Sequence, residues 1–432
     1  MYKYKVNQEN KRDLPVAVVL GGTVPHKNLL AKLKERGYYT VLIDYFDNPP
    51  AAESADVHCV ESAMDLDVVT NVAKENNAEV ILSSCLDQQM NIAMRAAETL
   101  GLAHPFGAEL TERVTNKRLM KRIMMEGGIP TSRYYIVDEF FDLSKLELTY
   151  PVIVKPVDSC GSAGVVKLES SEKLKETVKT SMEWSRDHRA VVEEFVEGTE
   201  LSVHCYVEAG KAKVLFTNCK IAKMEGKAYQ QMLNLYMPQL DSGLQKELER
   251  VADLIVEKFE LPSYTPMFMQ VIVKEGKVSV IEFSPRIAGG LASYISENYA
   301  GFDLLNYSID SYLGMHEDRG NAALKNWLCN LPIYCTEGVF AKVSGTEQLI
   351  KEGIVKKLEL LKVPGDHVDM EKPSSSNVCK YLIEGDSAAD CFRKASYAKA
   401  HTDCLDVSGK SIINRTFVLT EEEFNDKVSA LL

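Results

Sequence analysis

The chain has no apolar run approaching the roughly 18 residues of a membrane-crossing helix, and its opening, MYKYKVNQEN, has no apolar segment of the secretory kind. No membrane partner is expected, and a soluble, cytoplasmic protein is. Basic clusters are scarce too. Lys and Arg number 50 against 62 Asp and Glu, for a formal net charge of −12. That balance disfavours nucleic acid as a partner and still allows an anion in a local basic pocket. The ten cysteines, from Cys59 to Cys404, include no C-x-x-C and meet no H-x-x-x-H. Reduced thiols fit that spacing better than a disulfide or zinc framework. Common nucleotide signatures are missing: there is no G-x-x-x-x-G-K-[ST], no H-R-D and no D-F-G. Gly21-Gly22-Thr23-Val24-Pro25-His26 follows an apolar strand, and Asp44 lies where a ribose-binding acid would. The glycine spacing is nevertheless wrong for a dinucleotide, and Pro25 stands where the helix should open. A tight strand-to-helix turn at the mouth of a substrate-binding domain is the better reading.

What is present is a chain of 432 residues, 45% hydrophobic and 26% charged, too long for one core and ordinary in its balance. Through residues 1–108, apolar runs at 16–20, 41–43, 57–60 and 80–82 alternate with helical patterns, which predicts a parallel, doubly wound α/β sheet. Residues 109–130 predict a connecting helix ended by Gly127-Gly128 and Pro130. Then comes PVIVKPVDSCGSAGVV at 151–166. Its β-branched run suits a buried strand that ends near Pro156. The small residues from Ser159 to Gly164 leave backbone N–H groups open to phosphate, with Lys155 as a fixed charge nearby. From that loop alone a plain hairpin turn is the better reading.

VVEEFVEGTELSV follows at 191–203 as a strand, a linker and a returning strand, or simply an acidic hairpin on an exposed edge. Residues 222–243 are polar, and nothing regular is forced on them. At 267–290 stands MFMQVIVKEGKVSVIEFSPRIAGG. Gln270 and Glu282 share a face of this hairpin only if the connection is odd in length or bulged, with Gly276 as the expected bulge residue. If they do, they offer neighbouring hard oxygen ligands to Mg²⁺. From about 331 onward short strands and two helices read as a capping domain, without a motif that carries chemistry.

Taken in order, VKPVDSCGSAGV, VVEEFVEGTELSV and MFMQVIVKEGKVSVIEFSPRIAGG resemble the ATP-grasp superfamily, in its carboxylate–amine ligase branch related to biotin carboxylase and carbamoyl-phosphate synthase. The resemblance, which covers about residues 16–315, implies a pre-ATP-grasp domain over 1–108 and an ATP-grasp domain of two β-layers over 109–330, and the change in texture beyond it adds a small α+β cap over 331–432. It implies that Lys117 and Lys155 hold ATP phosphates and that Ser159, Gly161, Ser162 and Gly164 belong to a flap over them. The backbone from Glu193 through Glu194 and Phe195 to Val196 would pair with adenine, and Glu200 with ribose. Gln270, Glu282 and Ser284 match metal-ligand positions, although Gln270 stands where many relatives carry Glu, and Ser284 where Asn is commoner. Arg286, with Lys155, would act in catalysis by neutralising the γ-phosphate or the acyl phosphate formed from it.

The implied reaction activates a small carboxylic acid with ATP and Mg²⁺, or Mn²⁺ in its place. An amine then displaces phosphate, and the water-excluded site works by positioning and charge neutralisation. Expected partners are a small-molecule carboxylate and amine, with a homodimer as the expected assembly. A carboxylase or formate-using ligase on the same scaffold is one alternative. A nucleotide-binding regulatory module without turnover is another. Substrate contacts are expected within 23–26, 84–88, 224–238 and 289–298.

Overall fold

A computed structural model describes residues 2–8, 13–158, 164–225, 228–315, 322–370 and 373–432. The first sheet contains β1 (Tyr4–Val6), β2 (Val16–Leu20), β3 (Tyr39–Ile43), β4 (Val57–Cys59) and β5 (Ala78–Leu82), in the order β1-β4-β3-β2-β5. β2 to β5 run parallel and β1 caps the edge antiparallel. Every residue of β2 and β3 is buried, as expected of strands covered on both faces by helices. Pro25 sits in the first turn of the helix Val24–Glu35. A missing N–H costs nothing there, so the proline is no obstacle to that helix, contrary to the expectation above. Asp44 accepts hydrogen bonds from the backbone N–H of Gly22 at 2.8 Å and of Phe46 at 2.9 Å. Its carboxylate fastens two turns, in keeping with the structural reading of this loop.

The connecting segment forms two helices, Ala108–Thr115 and Lys117–Glu126. Asn116 divides them and caps the second, accepting from the N–H groups of Arg118 at 3.0 Å and Leu119 at 3.4 Å. Beyond it β6 (Tyr134–Val137), β7 (Val152–Pro156), β8 (Val166–Leu168) and β9 (Ala190–Glu194) make an antiparallel sheet in the order β6-β9-β7-β8. Val152, Val154 and Val192 pack there against Leu174 and Val178 of the helix Leu174–Glu183. β7 ends at Pro156, where the ladder would lose a donor.

The largest sheet is built from β10 (Thr199–Glu208), β11 (Lys211–Glu225), β12 (Ala228–Met237), β13 (Pro266–Lys274), β14 (Lys277–Ser284) and β15 (Trp327–Tyr334). Of the later strands β16 (Gly338–Ser344), β17 (Lys357–Leu360), β18 (His367–Val368), β19 (Asn377–Gly385) and β20 (Asp403–Asp406), it also takes in β17 and β19. Its order is β14-β13-β10-β11-β12-β15-β19-β17, so strand pairing continues unbroken past residue 330. β16, β18 and β20 form a small separate sheet. Most of 222–243, read from sequence as irregular, belongs to β11 and β12. Met232, Leu233, Leu235, Tyr236 and Met237 are buried, and over 232–237 Asn234 alone is half-buried, as suits a strand covered along both faces. Leu201, Val203, Cys219 and Leu235 belong to the main hydrophobic core. The helix Ser242–Phe259 contributes Leu248, Val251 and Ile255 to that core.

Candidate active site

The hairpin β13–β14 sets the geometry. Its turn is the residue pair Glu275-Gly276, both at positive φ (+50° and +73°), between the register partners Lys274 and Lys277. A clean two-residue turn of this kind would place Gln270 opposite Ile281 and leave Glu282 on the other face. The register shifts between Gln270 and Val271, however, so Ile281 is the extra residue and Gln270 faces Glu282 directly. The bulge exists, five residues from the glycine expected to make it. A bulge bends its strand locally and re-aims a side chain, and here it brings both oxygen-bearing side chains onto the face that lines the cleft.

On that face Glu200 pairs across the ladder with Lys220, and their side chains form an ion pair at 3.0 Å. Gln270 Nε2 lies 3.5 Å from Glu200 Oε1. Lys117, at the start of its helix, reaches Glu282 at 3.6 Å. From the opposite sheet Lys155 extends off β7 to the carboxylate of Glu193 on β9. Lys121 meets the same carboxylate at 2.7 Å, as does the Ser132 hydroxyl. Lys121, Lys155 and Glu193 are all buried, and Ser132 is half-buried. Burial alone would raise the Glu193 carboxyl, but the Lys155 and Lys121 ammonium groups outweigh it and hold the acid well below its ordinary value. Burial pushes the Lys121 ammonium the other way, downward, with Glu193 opposing.

Lys155 and Glu282 line one cleft of about 270 Å³ between the two sheets, together with Lys117, Glu200, Gln270 and Val196. Glu193, Glu194 and Phe195 line it too. The Phe195 ring carries Lys167 Nζ at 4.1 Å from its centroid, and its N–H donates to Pro151 O at 2.9 Å. Glu194 N–H donates to Arg133 O at 2.9 Å, and its side chain accepts from Thr149 N–H. Gly164 stands at φ +73°, where a Cβ would come within 2.9 Å of the Pro156 ring. Ser159, Gly161 and Ser162 lie outside the described residues.

Arg286 points to the first sheet. Its guanidinium grips Asp87, at the start of the helix Asp87–Leu100, through two contacts of 2.6 Å, and stacks on Phe268 at 4.8 Å. Ser284 donates its hydroxyl to the same carboxylate at 2.6 Å. Burial would raise the Asp87 carboxyl, yet Arg286 and Ser284 bring it below its usual range. Sequence reasoning missed Lys121, Ser132 and Lys220, and reached Asp87 only as a member of the 84–88 loop expected to contact substrate. Lys121 had a readable signal: it lies four residues after Lys117 and beside Met120 and Met124, on the side of the helix that is buried. Nothing in the sequence joined Asp87 to Arg286, because only folding brings the two together.

A family model for the ATP-grasp domain matches residues 114–290, the stretch that supplies nearly every cleft residue named above. The chain carries an ATP-grasp domain. The formate-dependent phosphoribosylglycinamide formyltransferase of Ignicoccus hospitalis is 28% identical over 187 residues, 42% of this chain and 46% of that protein. The chain thus spans about half the length of that relative. The Wolinella succinogenes protein of the same name is 22% identical over 66% of this chain and 74% of its own. Among solved structures, the L-amino acid ligase of Bacillus licheniformis superposes with a TM-score of 0.77 at 20% identity, covering 92% of this chain and 100% of that one. A biotin carboxylase domain from Hydrogenobacter thermophilus, solved with MgADP and bicarbonate, gives 0.72 at 15% identity over 93% and 92%. At these identities the structural likeness establishes the shared fold.

Proposed function

We propose that this protein is an ATP- and Mg²⁺-dependent ligase that activates a small carboxylic acid as an acyl phosphate and joins it to an amine, releasing ADP and phosphate. The observation that carries the proposal is the meeting, in one cleft, of lysines from one side with Glu200, Gln270 and Glu282 from the other. Lys155 is buried and braced by Glu193, so it presents a positioned charge in a low-dielectric site, where it counts for more than in water. Lys117 rests its ammonium 3.6 Å from Glu282, which shows that a positive charge is already favoured beside that carboxylate.

A divalent cation fits there by the same chemistry. Among the described residues no group of three or more His, Cys, Asp or Glu side chains could hold a metal. Mg²⁺ at Glu282 and Gln270 would therefore complete its shell with phosphate oxygens and water, as it does in nucleotide sites. Its contribution would be to neutralise the polyphosphate. Ser284 commits its hydroxyl to Asp87, which favours an orienting role for it over metal ligation. Arg286, held by Asp87 and Phe268, would neutralise the γ-phosphate or the acyl phosphate formed from it. The backbone from Glu193 to Val196 lies along the cleft wall for an adenine edge, and Glu200 for a ribose.

A formate-using version of the same chemistry is favoured by one observation, the name shared by the sequence relatives. Both readings are decided by ADP release from Mg-ATP, with Mn²⁺ substituted in parallel, against pairs of amino acids and against formate or bicarbonate with amines. Turnover with an acid and an amine supports the ligase; nucleotide binding without ADP release across the panel leaves a regulatory module. Lys155→Ala should lower the turnover found by about 10²–10³-fold with circular dichroism unchanged, and full activity in that variant rejects its role.

A further inference from the structure

The sheet that walls the nucleotide cleft has a second concavity on its other side. Met232 and Leu233 of β12 and Leu331 of β15 form its floor, all of them buried. Phe392 of the helix Ala388–Ala400 and Val418 and Leu419 near the C-terminus form its walls, enclosing about 250 Å³. Leu233 pairs across the ladder with Ile221, next in the chain to Lys220 of the cleft. Away from Met232, the extra residue where the β11–β12 register shifts, neighbouring strand residues point to opposite faces, so the groove backs onto the nucleotide site without sharing a side chain with it.

Two cations stand at this apolar groove. Lys399 Nζ donates to Phe417 O at 2.9 Å. Arg415 donates to the carbonyls of Lys399 at 3.4 Å and Thr402 at 3.0 Å. Both are satisfied only by neutral carbonyl oxygens: among the described residues neither has a carboxylate within 4.0 Å, whereas neighbouring Lys223 has Glu423 at 2.7 Å. Burial, then the charges of Arg415 and Lys223, push the Lys399 ammonium down. A single anionic head would relieve this crowding of like charge, and the apolar floor would cover a short hydrocarbon or aromatic tail. A purely apolar segment would leave the cations uncompensated; an inorganic anion would leave the floor wet. The volume is near the lower end, about 300 Å³, of small-molecule sites.

We propose that this groove binds a small amphiphilic monocarboxylate, its head on Lys399 and Arg415 and its tail across β12 and β15. The site is separate from the catalytic cleft and stands whether or not the ligase reading does.

The test is calorimetric titration of sodium octanoate into the full chain, with 1-octanol and octylamine as probes of equal tail length. Octanoate should bind saturably at one site, and octanol and octylamine at least about tenfold more weakly, the loss expected for one charge-assisted contact. Arg415→Gln should weaken octanoate by about tenfold. Val418→Asp, which adds a negative charge at an exposed wall position, should weaken it at least as much without changing the melting temperature. Saturating Mg-ATP should not displace the probe. Equal affinity for octanol, unchanged binding in both variants, displacement by Mg-ATP, or no saturable heat would each overturn the proposal. So would concentration-dependent dimerisation blocked by Val418→Asp without octanoate binding, which would make the groove a contact between copies of the chain.

Discussion

Glu193 holds more charge in place than any other single residue of the cleft. Its carboxylate meets Lys121 at 2.7 Å and Lys155 beside it, all three within the protein interior. Replacing it with Gln would strand two buried ammonium groups, so Glu193→Gln should lower the unfolding free energy by about 3–5 kcal/mol, measured by urea denaturation at neutral pH. The pH dependence has a definite sign. The folded carboxyl titrates below its ordinary value of 4.5, so the folded state keeps the charged form where the unfolded chain would take up a proton. Its stabilisation is complete above pH 4.5 and is lost as pH falls below that value. The wild-type chain should lose stability more steeply than Glu193→Gln in that acid window. Parallel slopes would show that the carboxylate is not held by its lysines.

The hinge between β9 and β10 depends on close backbone approach. Gly198 stands at φ +151°, and a Cβ there would fall 2.4 Å from Val273 O and 2.6 Å from Ile272 Cγ2. Ile272 is the register partner of Glu200, so pushing β10 off β13 moves Glu200, the residue proposed to meet the ribose. Gly198→Ala should cost about 1–3 kcal/mol of stability and weaken Mg-ATP binding in a calorimetric titration. Gly276 is the control. Its φ is +73° with nothing within 4 Å of a Cβ, so Gly276→Ala should cost about 1 kcal/mol and leave nucleotide affinity alone. Equal affinity in both variants would mean that Glu200 and the hinge do not contact the nucleotide.

At the scale of the whole molecule, ion pairs fasten the first sheet's helices to the rest. Lys32 reaches Glu297 at 2.7 Å and Asp303 at 3.1 Å, and Arg36 reaches Asp310 at 2.6 Å. Asp87 makes the functional join, because it holds both Arg286 and Ser284. Asp87→Asn would leave a buried guanidinium without its countercharge, at about 3–5 kcal/mol of stability. ADP release should fall in this variant while Mg-ATP affinity, which we propose Lys117, Lys155 and Glu282 carry, holds. Loss of both together would place Arg286 among the nucleotide's own contacts. Heating with and without Mg-ATP gives a second readout, since a ligand that binds only the folded state raises its melting temperature by mass action.

The amino-acid order by itself determines the alternation of strands and helices in the first 108 residues and the ordered trio of segments that belong to the ATP-grasp domain. Both are local: buried parallel strands need unbroken apolar runs, and a phosphate cradle needs small residues beside a lysine. Tertiary structure alone decided the rest. Gln270 and Glu282 share a face because the ladder slips at Ile281, a choice of register that no local propensity dictates. β11 and β12 are strands because each finds a partner on both sides, although their polar faces read as irregular chain. The bracing of Lys155 by Glu193 and of Arg286 by Asp87 joins residues 38 and 199 positions apart. Charge pairing at that separation exists only once the backbone has closed, because a carboxylate and a cation attract strongly only where folding has removed the water between them.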